Sequence, residues 1–255
     1  MTREDLKERL EDFARQIPQG SYDEFDFYKL IVGVYGKEHD PLSCSEYFKQ
    51  LEEIAALGLP YWPSSERESF LIIMKKLPQQ SKNIRFYINS HNADSAISIV
   101  KAAAHDLIDR VNFQFKLVGR DNYGYSRFDN TILYVNINDA KTAAEVLLAL
   151  SEKEPYLFDE DVPFTTRKIA KGIGYALTPL VCQREIFGER LKYHKYSPNF
   201  LHSLVLKRTF EEADKRGVKD PDKITGLYMQ ALEQAYIDPE KPYLNLGMKD
   251  PLEIP

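Results

Sequence analysis

The sequence predicts an α+β protein with a largely antiparallel sheet. Three segments alternate apolar and polar residues at the period of a β-strand: residues 84–89, 111–118 and 131–137. Two further segments, residues 93–110 and 140–152, repeat apolar residues at helical spacing. The resulting β-α-β-β-α order is typical of an antiparallel sheet that carries its helices on one face.

Helices are also predicted before this core. Three segments within residues 1–80 place their apolar residues on one helical stripe: 4–16, 22–35 and 43–57. Residues 1–80 are therefore predicted to form a mostly helical, acidic N-terminal region, and residues 81–255 to form the α+β domain.

Helices follow the core as well. Residues 198–216 and 221–236 are predicted helices, separated by Gly217 and by the pair Asp220-Pro221. The pattern of residues 182–193 is compatible with one more helix.

Composition and charge exclude several classes of protein. The chain has 255 residues, of which 43% are hydrophobic and 29% charged, which is typical of a globular protein with a sizeable core. Its net charge of −5 argues against non-specific binding of nucleic acid. Cys44 and Cys182 lack the spacing of a zinc site, and no run of 18 apolar residues occurs. We therefore expect a cytoplasmic protein with no membrane partner.

Positive charge is concentrated in one stretch of this acidic chain. Residues 163–195 contain seven Lys or Arg against two Asp or Glu, whereas residues 1–70 contain eight against fifteen. Such a stretch either binds an anion or forms a solvated basic face.

The alternation also predicts which side chains share a face of the sheet. With the helices on the apolar face, the opposite face carries polar and basic residues. These are Arg85, Tyr87, Gln114, Lys116, Tyr134 and Asn136. A face of this composition is either the floor of a binding cleft or an ordinary solvent-exposed surface.

The common catalytic and metal-binding signatures are missing. The chain has no Walker A loop and no HExxH, GxSxG or HRDxxxxN motif, and its five histidines lack the spacing of metal ligands. We therefore expect no metal and no organic cofactor. His194, between Lys192 and Lys195, is the best candidate for acid chemistry, although a surface histidine is the simpler interpretation.

Several spaced residues resemble the HopA-type effector family. Phe115-Lys116, Tyr125-Ser126-Arg127-Phe128-Asp129 and Ile132-Leu133-Tyr134-Val135 are similar to the family's F-x-x-K, Y-x-R-x-D and LY core, in the same order. The segment from Pro163 to Gly174 is similar to its P-x-F-T and L-A-P-G-x-G motifs. The chain departs from the family at Lys171, where proline is usual, and at residues 176–179, where the family carries A-E-D-P.

This resemblance implies a lyase. Members of the family accompany kinase-like proteins in gene clusters for class V lanthipeptides and thioamitides, which are ribosomal peptides. There they are taken to remove phosphate from phosphoserine or phosphothreonine and to leave dehydroalanine or dehydrobutyrine. The implied partners are a phosphorylated precursor peptide and a kinase-like protein. Residues 1–80 are then a candidate site for the leader peptide or the kinase, and residues 81–255 the catalytic domain.

The implied reaction gives each candidate residue a role. Lys116 is the candidate base, because neighbouring positive charge or burial can lower the pKa of a lysine. Tyr134 is a candidate hydrogen-bond donor, and His194 is the candidate general acid. The candidate phosphate ligands are basic: Arg85, Arg127, Arg167, Lys168 and Arg184. The candidate supporting residues are Tyr87, Gln114, Tyr125 and Asp129.

Each role has a structural alternative. In these alternatives Lys116 is an ordinary solvated lysine, Arg127 and Asp129 form a structural ion pair, and Tyr134 is a core tyrosine. For the whole protein, the alternative is a non-catalytic, effector-like module whose basic groove binds an acidic or phosphorylated partner.

Overall fold

The computed structural model describes residues 3–37, 42–63, 70–75, 83–119, 124–180, 184–191 and 197–253. The helices in these ranges are α1 (Arg3–Gln16), α2 (Glu24–Ile31), α3 (Cys44–Ala55), α4 (Ala93–Leu107), α5 (Ala140–Lys153), α6 (Pro198–Lys215) and α7 (Pro221–Gln234). The strands are β1 (Tyr61–Pro63), β2 (Phe70–Met74), β3 (Asn83–Ile88), β4 (Phe113–Val118), β5 (Thr131–Asn136), β6 (Arg167–Ala170), β7 (Ile173–Leu177), β8 (Glu185–Ile186) and β9 (Glu189–Arg190). Within the described ranges, no helix combines the length and the apolar character needed to cross a lipid bilayer.

The chain divides into two compact units. The helical unit consists of Met1–Tyr35 and Leu177–Lys249, and the sheet unit consists of Gly36–Ala176 and Asp250–Pro255. This division differs from the predicted boundary after residue 80, because the N-terminal helices α1 and α2 pack with the C-terminal helices α6 and α7.

In the described part of the chain, the main sheet has seven strands in the order β1-β2-β4-β5-β3-β7-β6. The pairs β1–β2, β2–β4, β4–β5, β3–β5 and β6–β7 are antiparallel. With α4 and α5 between its strands and helices at both ends of the chain, the protein has the predicted α+β class.

The apolar face of the sheet forms a continuous core. Phe113, Phe115, Leu133 and Val135 are fully buried, and the register places Phe115 beside Leu133 and Phe113 beside Val135. α4 contacts β4 and α5 contacts β5, so the two helices cover this face. Burying each of these side chains contributes roughly 1.5–3 kcal/mol. The layer therefore fixes the register and directs the alternate residues of each strand to the other face.

Residues 1–80 are only partly helical in the structure. Besides α1, α2 and α3, they contain the strands β1 and β2, which the sequence did not predict. The run Phe70–Met74 is wholly apolar, so its sequence cannot distinguish a buried strand from a turn of buried helix. In the structure Leu71 and Ile73 are buried, and the strand pairs with β4.

The helical unit confirms the two predicted C-terminal helices. Ser197 caps α6 and Asp220 caps α7, each followed directly by proline. A helix over residues 182–193 is wrong, because β8 and β9 form a hairpin there. Its two turn residues, Phe187 and Gly188, have φ of 50° and 80°, as a type I′ turn requires.

Replacing Gly172 by alanine is expected to destabilise the sheet unit. Gly172 has φ +62°, and an added β-carbon would overlap the carbonyl oxygen of Asp159 and lie 3.1 Å from that of Asn89. We expect Gly172→Ala to lose about 3 kcal/mol of unfolding free energy in urea. Gly36→Ala is the matched control, because its φ is +71° and, apart from its two chain neighbours, no atom of the described residues lies within 4 Å of the added carbon. There we expect a loss of about 1 kcal/mol, and equal losses in both variants would contradict the steric argument.

Candidate active site

Three central strands place two rows of side chains on the face of the sheet opposite α4 and α5. Across β4, β5 and β3 the rows are Gln114–Tyr134–Arg85 and Lys116–Ile132–Tyr87. Directly opposite side chains on one face lie about 5 Å apart, and those of the next row are within reach of long side chains. The alternation therefore predicts the positions of these polar residues in the sheet.

Lys116 lies at the centre of this face. Its side chain is half-buried, and its Nζ lies 3.7 Å from the centroid of the Phe70 ring on the neighbouring strand β2. The guanidinium carbon of Arg127 lies 5.5 Å from the same centroid. Two cations therefore converge on one aromatic ring, an arrangement that cation–π attraction favours.

The surroundings of Lys116 lower its pKa from 10.5 to about 8. The largest cause is burial, which disfavours the charged ammonium. The positive charges of Arg85 and Arg127 act in the same direction, and Asp129 opposes them. The lysine therefore has a substantial neutral fraction near pH 8, which a general base requires.

Arg127 and Asp129 form a buried ion pair beside this lysine. Their exposed fractions are 4% and 2%, and Arg127 Nε donates to Asp129 Oδ1 over 2.8 Å. This contact fixes the plane of the guanidinium.

Asn130 holds the turn that carries this pair. Its Oδ1 accepts from the backbone N–H of Ser90 at 2.9 Å, and its Nδ2 donates to the carbonyl oxygen of Ser90 at 2.8 Å. Nδ2 also lies 3.0 Å from the carbonyl oxygen of Arg127. Because Asn130 is fully buried, these bonds tie the Arg127 turn to the end of β3.

Of the predicted tyrosines, Tyr134 lies on the polar face, and Tyr125 lies in the turn before β5. The guanidinium carbon of Arg85 lies 5.0 Å from the ring centroid of half-buried Tyr134, which keeps the cation against the sheet. Tyr125 Oη accepts a hydrogen bond of 3.0 Å from Gln50, and burial raises the pKa of Tyr125. A hydroxyl with a raised pKa stays protonated and can donate.

A sequence model of the HopA1 effector protein family matches residues 63–192, just over half of the 255 residues. The chain belongs to this family. The matched range contains Arg85, Lys116, Arg127, Asp129 and Tyr134, and the resemblance in the sequence motifs is confirmed at the level of the family.

Two solved structures resemble this HopA1 family member over nearly the whole chain. One is the effector protein from Pseudomonas syringae pv. tomato strain DC3000, with 19% identity, a TM-score of 0.63 and coverage of 94% of this chain and 96% of that one. The other is the effector protein from Pseudomonas syringae pv. syringae strain 61, with 20% identity, a TM-score of 0.63 and coverage of 94% and 95%. At this identity the likeness shows a shared fold. None of the curated proteins matches the chain significantly.

Two of the predicted phosphate ligands of this family member lie away from Lys116. Arg167 and Lys168 are on β6, which β5, β3 and β7 separate from β4, or about 19 Å at ordinary strand spacing. Arg167 Nη1 donates to Asp250 Oδ2 at 2.5 Å, and Lys168 forms an ion pair with Glu160. The structure pairs both cations with carboxylates and does not bring them to the Lys116 face.

Arg184 belongs to the helical unit, whereas Lys116 belongs to the sheet unit. Arg184, in the helical unit, is 2% exposed, its Nε donates to the carbonyl oxygen of Ala235 at 2.9 Å, and its Nη2 donates to that of Leu180. These contacts hold Arg184 against main-chain carbonyls of the helical unit. His194 lies outside the described residues. Among the residues that are described, no cluster of three or more His, Cys, Asp or Glu could hold a metal ion.

Sequence reasoning missed Phe70 and Asn130, which shape the site, and Gln50, which contacts the predicted supporting residue Tyr125. Phe70 lies in an apolar run that carries no strand signal, and it proves to be the ring beneath Lys116. Asn130 reads as an ordinary turn residue, although its position directly after Arg127-Phe128-Asp129 was a usable signal. Gln50 is fully buried on α3, and no local pattern predicts a buried amide.

Proposed function

We propose that the protein is a phosphoserine/phosphothreonine lyase that eliminates phosphate from a phosphorylated peptide. The observation that supports this proposal most directly is Lys116, whose pKa of about 8 reflects burial beside Arg85 and Arg127. A base with a pKa near the working pH is what proton abstraction from a weakly acidic carbon requires.

In the proposed reaction the neutral amine of Lys116 removes the α-proton of the phosphorylated residue. The electron pair left on Cα forms the Cα=Cβ double bond while the bond between Cβ and the phosphate oxygen breaks. Phosphate leaves with the electron pair of that bond. The products are inorganic phosphate and dehydroalanine from phosphoserine, or dehydrobutyrine from phosphothreonine. The protonated lysine then releases its proton to solvent, and no oxidation or reduction takes place.

Arg85 and Arg127 would stabilise the negative charge in this reaction. A guanidinium matches two phosphate oxygens with parallel N–H donors, and cations fixed in advance need no rearrangement during the reaction. Asp129 holds Arg127 in place, and the ring of Tyr134 holds Arg85. Tyr134 is the proposed donor to the amide oxygen as the enolate-like charge develops. We keep His194 as the proposed general acid for the leaving phosphate.

The proposed substrate is a ribosomal precursor peptide that a kinase-like partner has phosphorylated. The family resemblance supports this choice, and the amide of Gln114 beside Tyr134 is suited to hydrogen bonding with a peptide backbone. Residues 1–80 stay a proposed site for the leader peptide or the kinase, and the proposed setting is the cytoplasm. The net charge of −5 supports neither a nucleic-acid nor a membrane partner.

A second candidate function is non-catalytic binding of a phosphorylated or acidic partner. The same cluster favours it, because Arg85, Lys116 and Arg127 attract a phosphate whether or not the phosphate is then eliminated. The two functions differ in whether the bound peptide changes.

Mass spectrometry of phosphopeptides incubated with the protein in EDTA tests the proposal. We expect a loss of the elements of phosphoric acid, followed by addition of a thiol to the new alkene. A hydroxyl in place of the phosphate would indicate a phosphatase and would contradict the lyase. Binding without any change of the peptide, also with the precursor and kinase encoded next to this protein, would favour the binding module.

A further inference from the structure

A cavity in the helical unit has an aromatic wall and one carboxylate. Its volume is about 170 Å³, and the wall includes Phe13, Tyr22, Phe27 and Phe210. The ring centroids of Phe27 and Phe210 are 5.4 Å apart, and those of Tyr22 and Phe210 are 5.7 Å apart. A dry cavity of about 150 Å³ binds benzene, so this one has room for a single ring.

Asp214 is the carboxylate that lines this cavity. Its Oδ2 accepts a hydrogen bond of 2.9 Å from Tyr22 Oη, and its Oδ1 accepts one of 2.9 Å from Gln19 Nε2. Both donors are neutral, and each carboxylate oxygen can accept a second hydrogen bond. Among the described residues, no Lys, Arg or His forms an ion pair with Asp214. The half-buried negative charge of Asp214 is therefore not neutralised within the described part of the chain.

We propose that this cavity binds a small organic ammonium ion with an apolar body of one ring, such as an arylalkylammonium. The ring would pack against Phe27 and Phe210, and the ammonium would donate to the second acceptor sites of Asp214. A charge-assisted hydrogen bond is about twice as strong as a neutral one. Independently, burial and Asp214 raise the pKa of Tyr22 to about 12, so its hydroxyl keeps donating to the carboxylate.

Lys219 carries an ammonium group that would compete with the proposed ligand for Asp214. It also lines the cavity, and its side chain is exposed and forms no ion pair with Asp214. If its ammonium turned inward in solution, it would occupy the proposed ligand site itself. A Lys219→Met variant removes this competitor and keeps the length of the side chain.

The test is an NMR titration of the full chain labelled with ¹³C in its isoleucine methyl groups. Ile17 and Ile224 line the cavity, and Ile17→Val and Ile224→Val assign their signals. Phenethylammonium chloride and the neutral 2-phenylethanol are titrated in parallel at pH 7. We expect both ligands to shift these two signals, with at least about tenfold tighter binding of the ammonium. Asp214→Asn should remove this preference and leave the affinity for 2-phenylethanol unchanged, and Lys219→Met should retain it.

Several results would overturn the proposal. One is equal affinity of the wild-type protein for the ammonium and the alcohol, and another is an unchanged preference in Asp214→Asn. If neither ligand shifts the Ile17 and Ile224 signals, the cavity does not open to ligands. If the ammonium binds to Lys219→Met but not to the wild-type protein, the natural occupant of the cavity is Lys219. None of these results depends on lyase activity.

Discussion

Replacing Lys116 by methionine is expected to lower kcat for phosphate elimination by about 10³-fold. Methionine keeps an unbranched side chain over Phe70 but has no amine that can accept a proton. Because Arg85 and Arg127 remain to hold the phosphate, we expect the Kd for a phosphopeptide to change by less than about threefold. Product formation is followed by mass spectrometry, and affinity by titration with the same peptide.

Two controls separate basicity from charge and from folding. Lys116→Arg keeps a cation that does not lose its proton, so it should be as inactive as the methionine variant. The methionine variant should also fold at least as stably as the wild type at pH 7. Burial lowers the pKa of Lys116 in the folded state, so below pH 8 the folded protein carries a disfavoured cation, which methionine removes. Retention of more than a tenth of kcat by either variant would exclude Lys116 as the base.

The pH profile of the wild-type protein in the proposed reaction provides a check on the same assignment. In the proposed reaction only neutral Lys116 accepts a proton, so kcat/KM, which reports the free protein, should rise about tenfold per pH unit below the pKa of about 8 and level off above it. A lysine with the ordinary pKa of 10.5 would give a rate that still rises at pH 10. A rise of that kind would show that the burial and the charges around Lys116 do not act in solution as the structure indicates.

The sheet could be predicted from the sequence because alternation reports burial on one face. The alternation around Phe113, Phe115 and Lys116 predicts β4 and the side on which the lysine lies. The hairpin β8–β9 could not be distinguished from a short helix, because two-residue strands are too short to show a period. Its signal was Phe187-Gly188, where a glycine permits the positive φ of a tight turn.

The candidate site was predictable only where its residues share a strand or a motif. Lys116 and Tyr134 lie on paired strands, and Arg127 and Asp129 lie two residues apart, so local pattern predicts their neighbourhood. The count of basic residues in the stretch around Arg167 did not predict a shared site. Asp250, 83 residues further along the chain, neutralises Arg167, and only the folded structure brings such a partner into view. Charge in a sequence therefore predicts where cations are, whereas burial and pairing decide which of them can bind a ligand.

Replacing Asp129 by asparagine is expected to lower the unfolding free energy by about 3–5 kcal/mol. Arg127 and Asp129 are 4% and 2% exposed, so the amide would leave a buried guanidinium without the negative charge that offsets its desolvation. Elimination should also weaken, because the plane of Arg127 is no longer fixed. Asp129 raises the pKa of Lys116, so its removal should move the inflection of the pH profile below pH 8. Urea denaturation measures the loss of stability, kcat measures the weaker elimination, and the pH dependence of kcat/KM measures the shift of the inflection.

The double variant Arg127→Met/Asp129→Leu distinguishes a functional ion pair from a purely structural one. Replacing both charges by apolar groups of similar volume should restore most of the lost stability, because no unpaired charge is left in the core. If Arg127 holds the phosphate, this stable variant should still bind phosphopeptide weakly and turn it over slowly. Recovery of turnover together with stability would mean that the pair only holds the turn before β5. Among the residues placed on this face, Arg85 would then be the cation that acts on the phosphate.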